Sequence, residues 1–404
     1  MSDTTNRERR TQHDLVVVLQ QPALPHYRVP VFRKLAQRDG LELEVIYSDV
    51  VGLLNAPADG FKATHSVTRH LPGGMFWDSG QVRAVRRRAD VAILSWNIRY
   101  LSLIPALLRA RWRGVGTVLW GHGYSKNETN LRLWVRRRVT RLATAVLFYN
   151  KLEAKRFVTA EGEAENVFVA PNSLDQTAIR VASTSWASDA ERLAQFRRLN
   201  DLDSRPTVLF VSRLERENRL EILLRASAML VRDFPRLRVV VVGDGWGRPV
   251  AEEMARECGL EQMVRFLGPI YDEEEIAPWF LSADVFCYPA NIGLSLLHAF
   301  GYGVPVVTSD RLEKQNPEIE ALRPGDNGLL YSDGDPKALA HALAAVLGDA
   351  HLRERLSHGA LETARHQYTV TTMVDGMEAA IRYAAAAKCR TAQEDGDGPL
   401  ENKP

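Results

Sequence analysis

Residues 289–309, PANIGLSLLHAFGYGVPVVTS, carry the reading of this chain. An apolar strand-like run just before them, Val285-Phe286-Cys287-Tyr288, enters a turn of small residues at Ala290-Asn291-Ile292-Gly293. A helix-like run follows from Leu294 to Tyr302, and Gly303-Val304-Pro305 leads into a second strand at Val306-Val307-Thr308. Strand, helix and strand in that order form a βαβ crossover. A turn with few bulky side chains before a helix exposes backbone N–H groups beside the positive end of the helix dipole, where a phosphate can sit. An ordinary crossover in an α/β core has the same pattern, so the rest of the chain must decide what the turn does.

The alternation extends through the whole sequence. Residues 15–19, 43–46, 91–94, 117–120, 145–148 and 167–169 read as short buried strands, with amphipathic runs such as 29–37 and 101–111 between them. A polar stretch at 183–205 holds one helical segment near 191–199, and the alternation restarts at 207–211, 237–242, 264–266, 285–288 and 304–308. Two βα series with a seam near 175–206 predict an α/β fold of two doubly wound domains facing a cleft, with ligands at the carboxyl ends of the strands. The expected division is a disordered N-terminus at 1–13, a first domain at 14–182 and a second at 183–365. A helical segment at 366–390 can belong to either domain, including a return onto the first, and a tail at 391–404 is expected to be disordered for want of apolar residues.

Length and composition agree: 404 residues favour two domains, and 45% hydrophobic with 25% charged residues suits a globular protein in water. The net charge of +2 hides an asymmetry. Residues 1–175 hold 26 Lys+Arg against 16 Asp+Glu, or +10, which leaves 2 − 10 = −8 for the remainder. Halves of opposite sign are expected to meet different partners. Cys258, Cys287 and Cys389 show no metal-ligand spacing and fit a reducing cytoplasm. The polar N-terminus has no apolar signal segment, and no run is long enough to span a bilayer.

The second half resembles the donor-binding domain of the retaining, family-4 type glycosyltransferases of the GT-B fold. Four segments carry the likeness in order: VLFVSRL at 208–214, VVVVGDG at 239–245, VRFLGPI at 264–270 with SADV at 282–285, and the block from Gly293 to Thr308. The first half matches more loosely, through Trp120-Gly-His-Gly123 and Ala170-Pro-Asn-Ser-Leu-Asp175. The resemblance implies an acceptor-binding first domain and a second domain that holds a nucleotide-diphosphate sugar. Arg213, at a strand end, would fork onto a phosphate. The N–H groups of Ile292, Gly293, Leu294 and Ser295 would hold other phosphate oxygens. Gly243 and Gly245 form either a close ligand approach or a tight βα turn, and Ile270 lies where the family binds its base.

Three positions depart from the family pattern. Asn218-Arg219 stands where a Lys-Gly pair is usual, which leaves Asn218 as an uncharged donor-binding candidate with Arg216 or Arg219 to supply the cation, and Ala290 and His298 stand where the family has two glutamates. His298 can hydrogen-bond the ribose through one ring nitrogen, or it is a packed helical histidine. Ala290 removes its glutamate's function altogether. The segment DRLEKQNPEIEAL, 310–322, brings Gln315, Glu318 and Glu320 to the next strand end. The block GLxxxHAxxYGxPV followed by PExEA resembles a branch of bacterial surface-polysaccharide transferases, which makes Glu318 the candidate for the donor sugar hydroxyls. Its plain alternative is a helix-start carboxylate after Pro317.

In the first half, His26, Tyr27 and Arg28 sit in a proline-punctuated loop after the first strand and are candidates for the acceptor or the donor phosphate. His122, between two glycines at a strand end, resembles a histidine beside the reacting sugar and is, with Glu318, a catalytic candidate; a lone histidine has a structural role as its plain alternative. The run LRLWVRRRVTRL, 131–142, mixes apolar residues with five arginines, and Arg86-Arg87-Arg88 adds a second cluster. Such a helix suits an anionic membrane surface on the cytoplasmic face, and its commoner alternative is a solvated helix with one buried face; no nucleic-acid motif accompanies it. The expected activity is transfer of a hexosyl unit to a glycan or lipid-linked acceptor with retention. No metal and no cofactor beyond the sugar nucleotide is expected. The rival readings are a catalytically silent nucleotide- or glycan-binding protein and a sugar-nucleotide epimerase.

Overall fold

The computed structural model describes residues 14–50, 52–123, 129–162 and 165–394. Two compact units emerge: residues 1–171 with 370–404, and residues 172–369.

The first unit contains β1 (Leu15–Gln21), β2 (Leu41–Tyr47), β3 (Lys62–His65), β4 (Thr68–Leu71), β5 (Met75–Asp78), β6 (Val91–Ser95), β7 (Gly116–Gly121), β8 (Ala145–Phe148) and β9 (Val167–Val169). Seven of them form one parallel sheet in the order β3-β2-β1-β6-β7-β8-β9, and β4 and β5 make a separate antiparallel pair. Helices α1 (Val29–Ala36), α2 (Ser79–Ala84), α3 (Leu103–Arg113), α4 (Asn130–Thr140) and α5 (Lys151–Glu161) make the crossovers. Both faces of the sheet are covered, which is why β6, VAILS, is buried at every position instead of alternating. One face packs on α2, α3 and α5 through Leu94, Leu107 and Phe157, and the other on α1 through Phe32 and Leu35.

The second unit holds β10 (Thr207–Val211), β11 (Arg238–Val242), β12 (Val264–Gly268), β13 (Val285–Cys287), β14 (Val306–Ser309) and β15 (Gly328–Tyr331) in the order β12-β11-β10-β13-β14-β15. All neighbours are parallel. That order reverses between β10 and β13, as the first sheet reverses between β1 and β6, and ligands in doubly wound sheets bind at such reversals. Around the sheet lie α6 (Thr177–Ala187), α7 (Ala190–Leu199), α8 (Leu220–Leu230), α9 (Arg248–Glu257), α10 (Glu273–Leu281), α11 (Ser295–Gly301), α12 (Pro336–Gly348) and α13 (Ala350–Glu362). Residues 172–182 sit with this unit because α6 buries Ile179 and Ala182 in its core, and Trp186 Nε1 donates to the Glu274 carbonyl at 2.9 Å.

The last helix, α14 (Val370–Glu394), belongs to the first unit. Met373, Val374, Met377, Ala380, Ile381 and Ala384 are fully buried in the core beneath α1. Its backbone comes so close that a Cβ on Gly376 would stand 2.0 Å from the Val169 carbonyl oxygen. The helix carries on to Glu394, four residues into the tail expected to be disordered. The rest of that tail, and the disorder expected for residues 1–13, lie outside the described residues. Among the described residues no helix is long and apolar enough to cross a membrane.

Candidate functional site

At the strand-order reversal of the second unit lies a cavity of about 430 Å³. Arg213, just past β10, lines it together with Asn291, Gly293, Leu294 and Ser295 from the turn after β13. The Arg213 side chain is exposed. The loop that carries it is held by one buried amide, Asn218. Asn218 Nδ2 donates to the Arg213 carbonyl at 2.7 Å and to Ser212 Oγ at 2.8 Å, and Ser212 Oγ pairs with the Tyr288 hydroxyl at 2.7 Å. Asn218 therefore spends its donors on the loop: it braces the arginine. Burial pushes the Tyr288 hydroxyl above its ordinary value, against the pull of Ser212 and Arg213.

The glycine turn is tied down from the opposite side. Gln315 Oε1 accepts the Ile292 N–H at 2.7 Å, while its Nε2 donates to Ser309 O at 3.1 Å and Thr308 Oγ1 at 3.2 Å. Asn316 Nδ2 donates to the Asn291 carbonyl at 2.9 Å. The Ile292 N–H, offered to a phosphate on the sequence pattern, is thus consumed inside the protein, and Ile292 is fully buried. Asn291 holds φ +64, a left-handed conformation that asparagine tolerates better than most residues.

Gly243 and Gly245 do not line this cavity. Gly243 has φ +133, and a Cβ there would stand 1.8 Å from the Ser212 carbonyl oxygen. One on Gly245 would approach the Leu214 oxygen to 2.8 Å. Leu214 N donates to Asp244 O and Gly247 N to Leu214 O, both at 3.0 Å. These glycines let the turn after β11 press against the Arg213 loop, so their work is steric. Ile270 packs on the edge of the core. His298 points elsewhere: its Nε2 meets Glu273 Oε1 at 2.8 Å, and the Tyr302 hydroxyl donates to the same oxygen at 2.5 Å. Burial raises the Glu273 carboxyl, but these two bonds overcome it and hold it below its ordinary value. Glu318 is buried in the turn Pro317–Ala321 and accepts a hydrogen bond from Asn172 Nδ2.

The first unit has a cavity of about 840 Å³ at its own reversal. His122, exposed just past β7, lines it beside Trp120, Tyr149, Ser95 and Gln21, with Arg99, Arg132 and Arg136 on the rim. The glycines flanking His122 are needed there. A Cβ at Gly123, φ +71, would meet Phe148 Cε1 at 2.3 Å, and one at Gly121 would meet the Trp96 oxygen at 3.0 Å. The His122 ring stands 4.8 Å from Tyr149. Tyr149 in turn faces the buried Arg28 guanidinium at 5.2 Å, and Trp120 and Tyr27 face it at 5.0 and 5.4 Å. Cation–π attraction to three rings suits a cation sheltered from water. His26, Tyr27 and Arg28 are not in the cavity lining, although Arg28 reaches His122 through Tyr149.

Beneath this cavity lies a buried polar network that sequence reading missed. Gln20 Nε2 donates to Asp78 Oδ2 at 2.7 Å, and Gln20 Oε1 accepts from Ser95 Oγ at 2.7 Å. Asp78 Oδ1 accepts from Gly80 N at 2.7 Å and Ser66 Oγ at 3.2 Å. Burial still raises the Asp78 carboxyl above its ordinary value, against all its donors.

Residues 191–363 match the family described as glycosyl transferases group 1. The matched segment lies within the second unit. Arg213, its brace and the glycine turn all fall within it. The phosphatidyl-myo-inositol mannosyltransferase of Mycobacterium leprae is 35% identical over 191 residues, covering 45% of this chain and 47% of that protein. The D-inositol 3-phosphate glycosyltransferase of Corynebacterium urealyticum is 28% identical, covering 72% of this chain and 66% of that one. The chain thus spans about half to two-thirds of these relatives' length. Among solved structures, HepE of Anabaena in complex with UDP aligns at TM-score 0.68 and 18% identity, over 90% of this chain and 98% of that chain. The fold is GT-B, with parallel sheets in two Rossmann-like α/β domains, as the alternation predicted.

The matched segment also contains residues that sequence reading passed over: Ser212, Tyr288 and Asn316 line the second unit's cavity. A serine and a tyrosine at the ends of otherwise apolar strands were the available signal. Among the described residues, no group of three or more His, Cys, Asp or Glu side chains could hold a metal ion.

Proposed function

We propose that this chain transfers a hexosyl unit from a nucleotide-diphosphate sugar to a glycan or lipid-linked acceptor, with retention, in surface polysaccharide or glycolipid assembly. The observation that carries the reading is Arg213, its loop held by the buried Asn218 amide at the strand-order reversal of a segment that matches group 1 glycosyl transferases. A guanidinium there can neutralise a diphosphate without a metal, and the turn at Gly293, Leu294 and Ser295 leaves room for phosphate oxygens. The relatives' names support a hexosyl donor and a phosphorylated acceptor, and the arginines around the first cavity suit a negatively charged acceptor. HepE has been solved with UDP and glucose, which favours a UDP-type donor. His122 is assigned to the reacting sugar, either by hydrogen bonding a hydroxyl or by stabilising developing charge through its neighbours. Glu318 serves as a buried support of the donor loop in this reading. The setting is the cytoplasmic membrane face.

The test starts with thermal shifts against UDP, GDP, dTDP and their sugars, because a ligand that binds only the folded state raises its melting temperature. Donor turnover is then measured with D-inositol 3-phosphate, phosphatidylinositol and oligosaccharide acceptors. Release of free nucleotide that depends on acceptor supports a transferase. Nucleotide binding without any turnover overturns it in favour of a binding protein.

A further inference from the structure

Helix α3 buries Leu103, Ala106, Leu107 and Ala110 in the core, yet its outer side is also apolar. Ile104, Leu108 and Trp112 are 43, 52 and 78% exposed, and Leu101 just before the helix is 44% exposed. Steps of four residues keep the three helical positions on one stripe, about 12 Å long at 1.5 Å per residue. A surface helix normally turns polar groups outward; this one presents leucine, isoleucine and tryptophan instead.

The charges beside the stripe have one sign. Residues 86–113 hold seven arginines and one acid, Asp90, and that carboxylate accepts the Val16 N–H at 3.0 Å at the start of β1. Arg109 and Arg111 are exposed on α3, and Arg87 and Arg88 are exposed at the end of α2. Arg113 Nη1 donates to the Val85 carbonyl at 2.9 Å, which fastens the end of α3 to the turn that carries them. On the next crossover, α4 exposes Leu131 and Trp134, with the Arg138 guanidinium 5.2 Å from the Trp134 ring.

We propose that α3 docks the first unit onto an anionic lipid bilayer, with Ile104, Leu108 and Trp112 entering the headgroup boundary and the flanking arginines meeting lipid phosphates. An apolar stripe on a segment with seven arginines and one engaged acid matches that surface on both counts. Tryptophan belongs at such a boundary because its ring is apolar and its N–H stays near water. The inference draws its setting, but none of its argument, from the membrane-face reading above.

The experiment is co-sedimentation of the full chain, without nucleotide or acceptor, with vesicles of phosphatidylcholine alone or mixed equally with phosphatidylglycerol. The chain is expected to sediment with the anionic vesicles, and binding should fall with added salt. The triple variant Ile104→Ser, Leu108→Ser, Trp112→Ser is expected to bind about tenfold more weakly or worse. Leu199→Ser, on an exposed leucine of the second unit, is expected to bind as the parent does. Melting temperatures check that each variant is folded; should the triple variant fail to fold, Trp112→Ser alone takes its place. The proposal is overturned if the parent stays in the supernatant, if the stripe variant binds equally well, or if only Leu131→Ser with Trp134→Ser abolishes binding. A chain that binds vesicles but transfers no sugar leaves α3 as a docking surface and removes the transferase reading instead.

Discussion

The two sheets reverse strand order in the same way, but the cavities at the two reversals are built differently. In the second unit an exposed guanidinium stands on a loop whose main chain is pinned by Asn218, while Gln315 and Asn316 pin the facing turn. In the first unit an exposed imidazole stands above a fully buried carboxylate–amide network, against a wall of aromatic rings. One reversal fixes a charge, the other fixes a shape. Topology chooses where a ligand can sit, and loop chemistry chooses what it can be.

The comparison can be broken at several points. The largest effect is expected from Gly243→Ala, whose Cβ collides with the Ser212 carbonyl. It should cost about 3 kcal/mol or more in urea unfolding and release the Arg213 loop; an unchanged midpoint would mean that the loop is not held by this turn. Next, His122→Ala should lower turnover about 100-fold while changing donor affinity less than about twofold. A fully active variant removes the imidazole from the chemistry. Arg213→Ala loses a charged hydrogen-bond partner worth about 2 kcal/mol. Binding of a nucleoside diphosphate, read by calorimetry, should weaken about thirtyfold, and equal affinity would take Arg213 out of the site. Asn218 lines the cavity but spends its amide donors on that loop, so for Asn218→Ala a loss of about fivefold is expected; a loss as large as that of Arg213→Ala would make Asn218 a direct contact.

The smallest effect concerns the first unit's network. Asp78 has its folded pKa raised by burial. Its contribution to stability is therefore fully present below the ordinary carboxyl value and is lost as pH rises through the folded value. The stability difference between the parent and Asp78→Asn should shrink as pH increases from about 4, measured by urea unfolding across the acid range. A difference that grows with pH would mean that Gln20 and the serines, not burial, dominate the carboxylate.

Much of this architecture was legible because parallel strands buried on both faces read as unbroken apolar runs. Residues 145–148, 167–169 and 207–211 were marked as strands with the bounds they have. Among the described strands that escaped, β15 is a short apolar run, GLLY, and the others have no such run. β3 is KATH, with both ends exposed, and β4 and β5 form a half-exposed hairpin pair. Arg213, Gly293, Leu294, Ser295 and His122 were drawn from motifs, and each does line a cavity. His298 and Ile292 could not be resolved from sequence, because the partners that occupy them, Glu273 and Gln315, lie on other elements. Whether a polar group serves a ligand or the fold depends on contacts that a linear pattern does not contain.

The return of α14 to the first sheet has a consequence for biosynthesis. Six buried side chains of that sheet's core, from Met373 to Ala384, are encoded after the whole second unit. Multidomain chains usually complete their N-terminal domain first as they leave the ribosome. Here the later-encoded unit is the one that can close early, while the earlier sheet waits with an apolar face uncovered until the final helix emerges. That waiting surface is where a nascent chain of this protein would most need a chaperone.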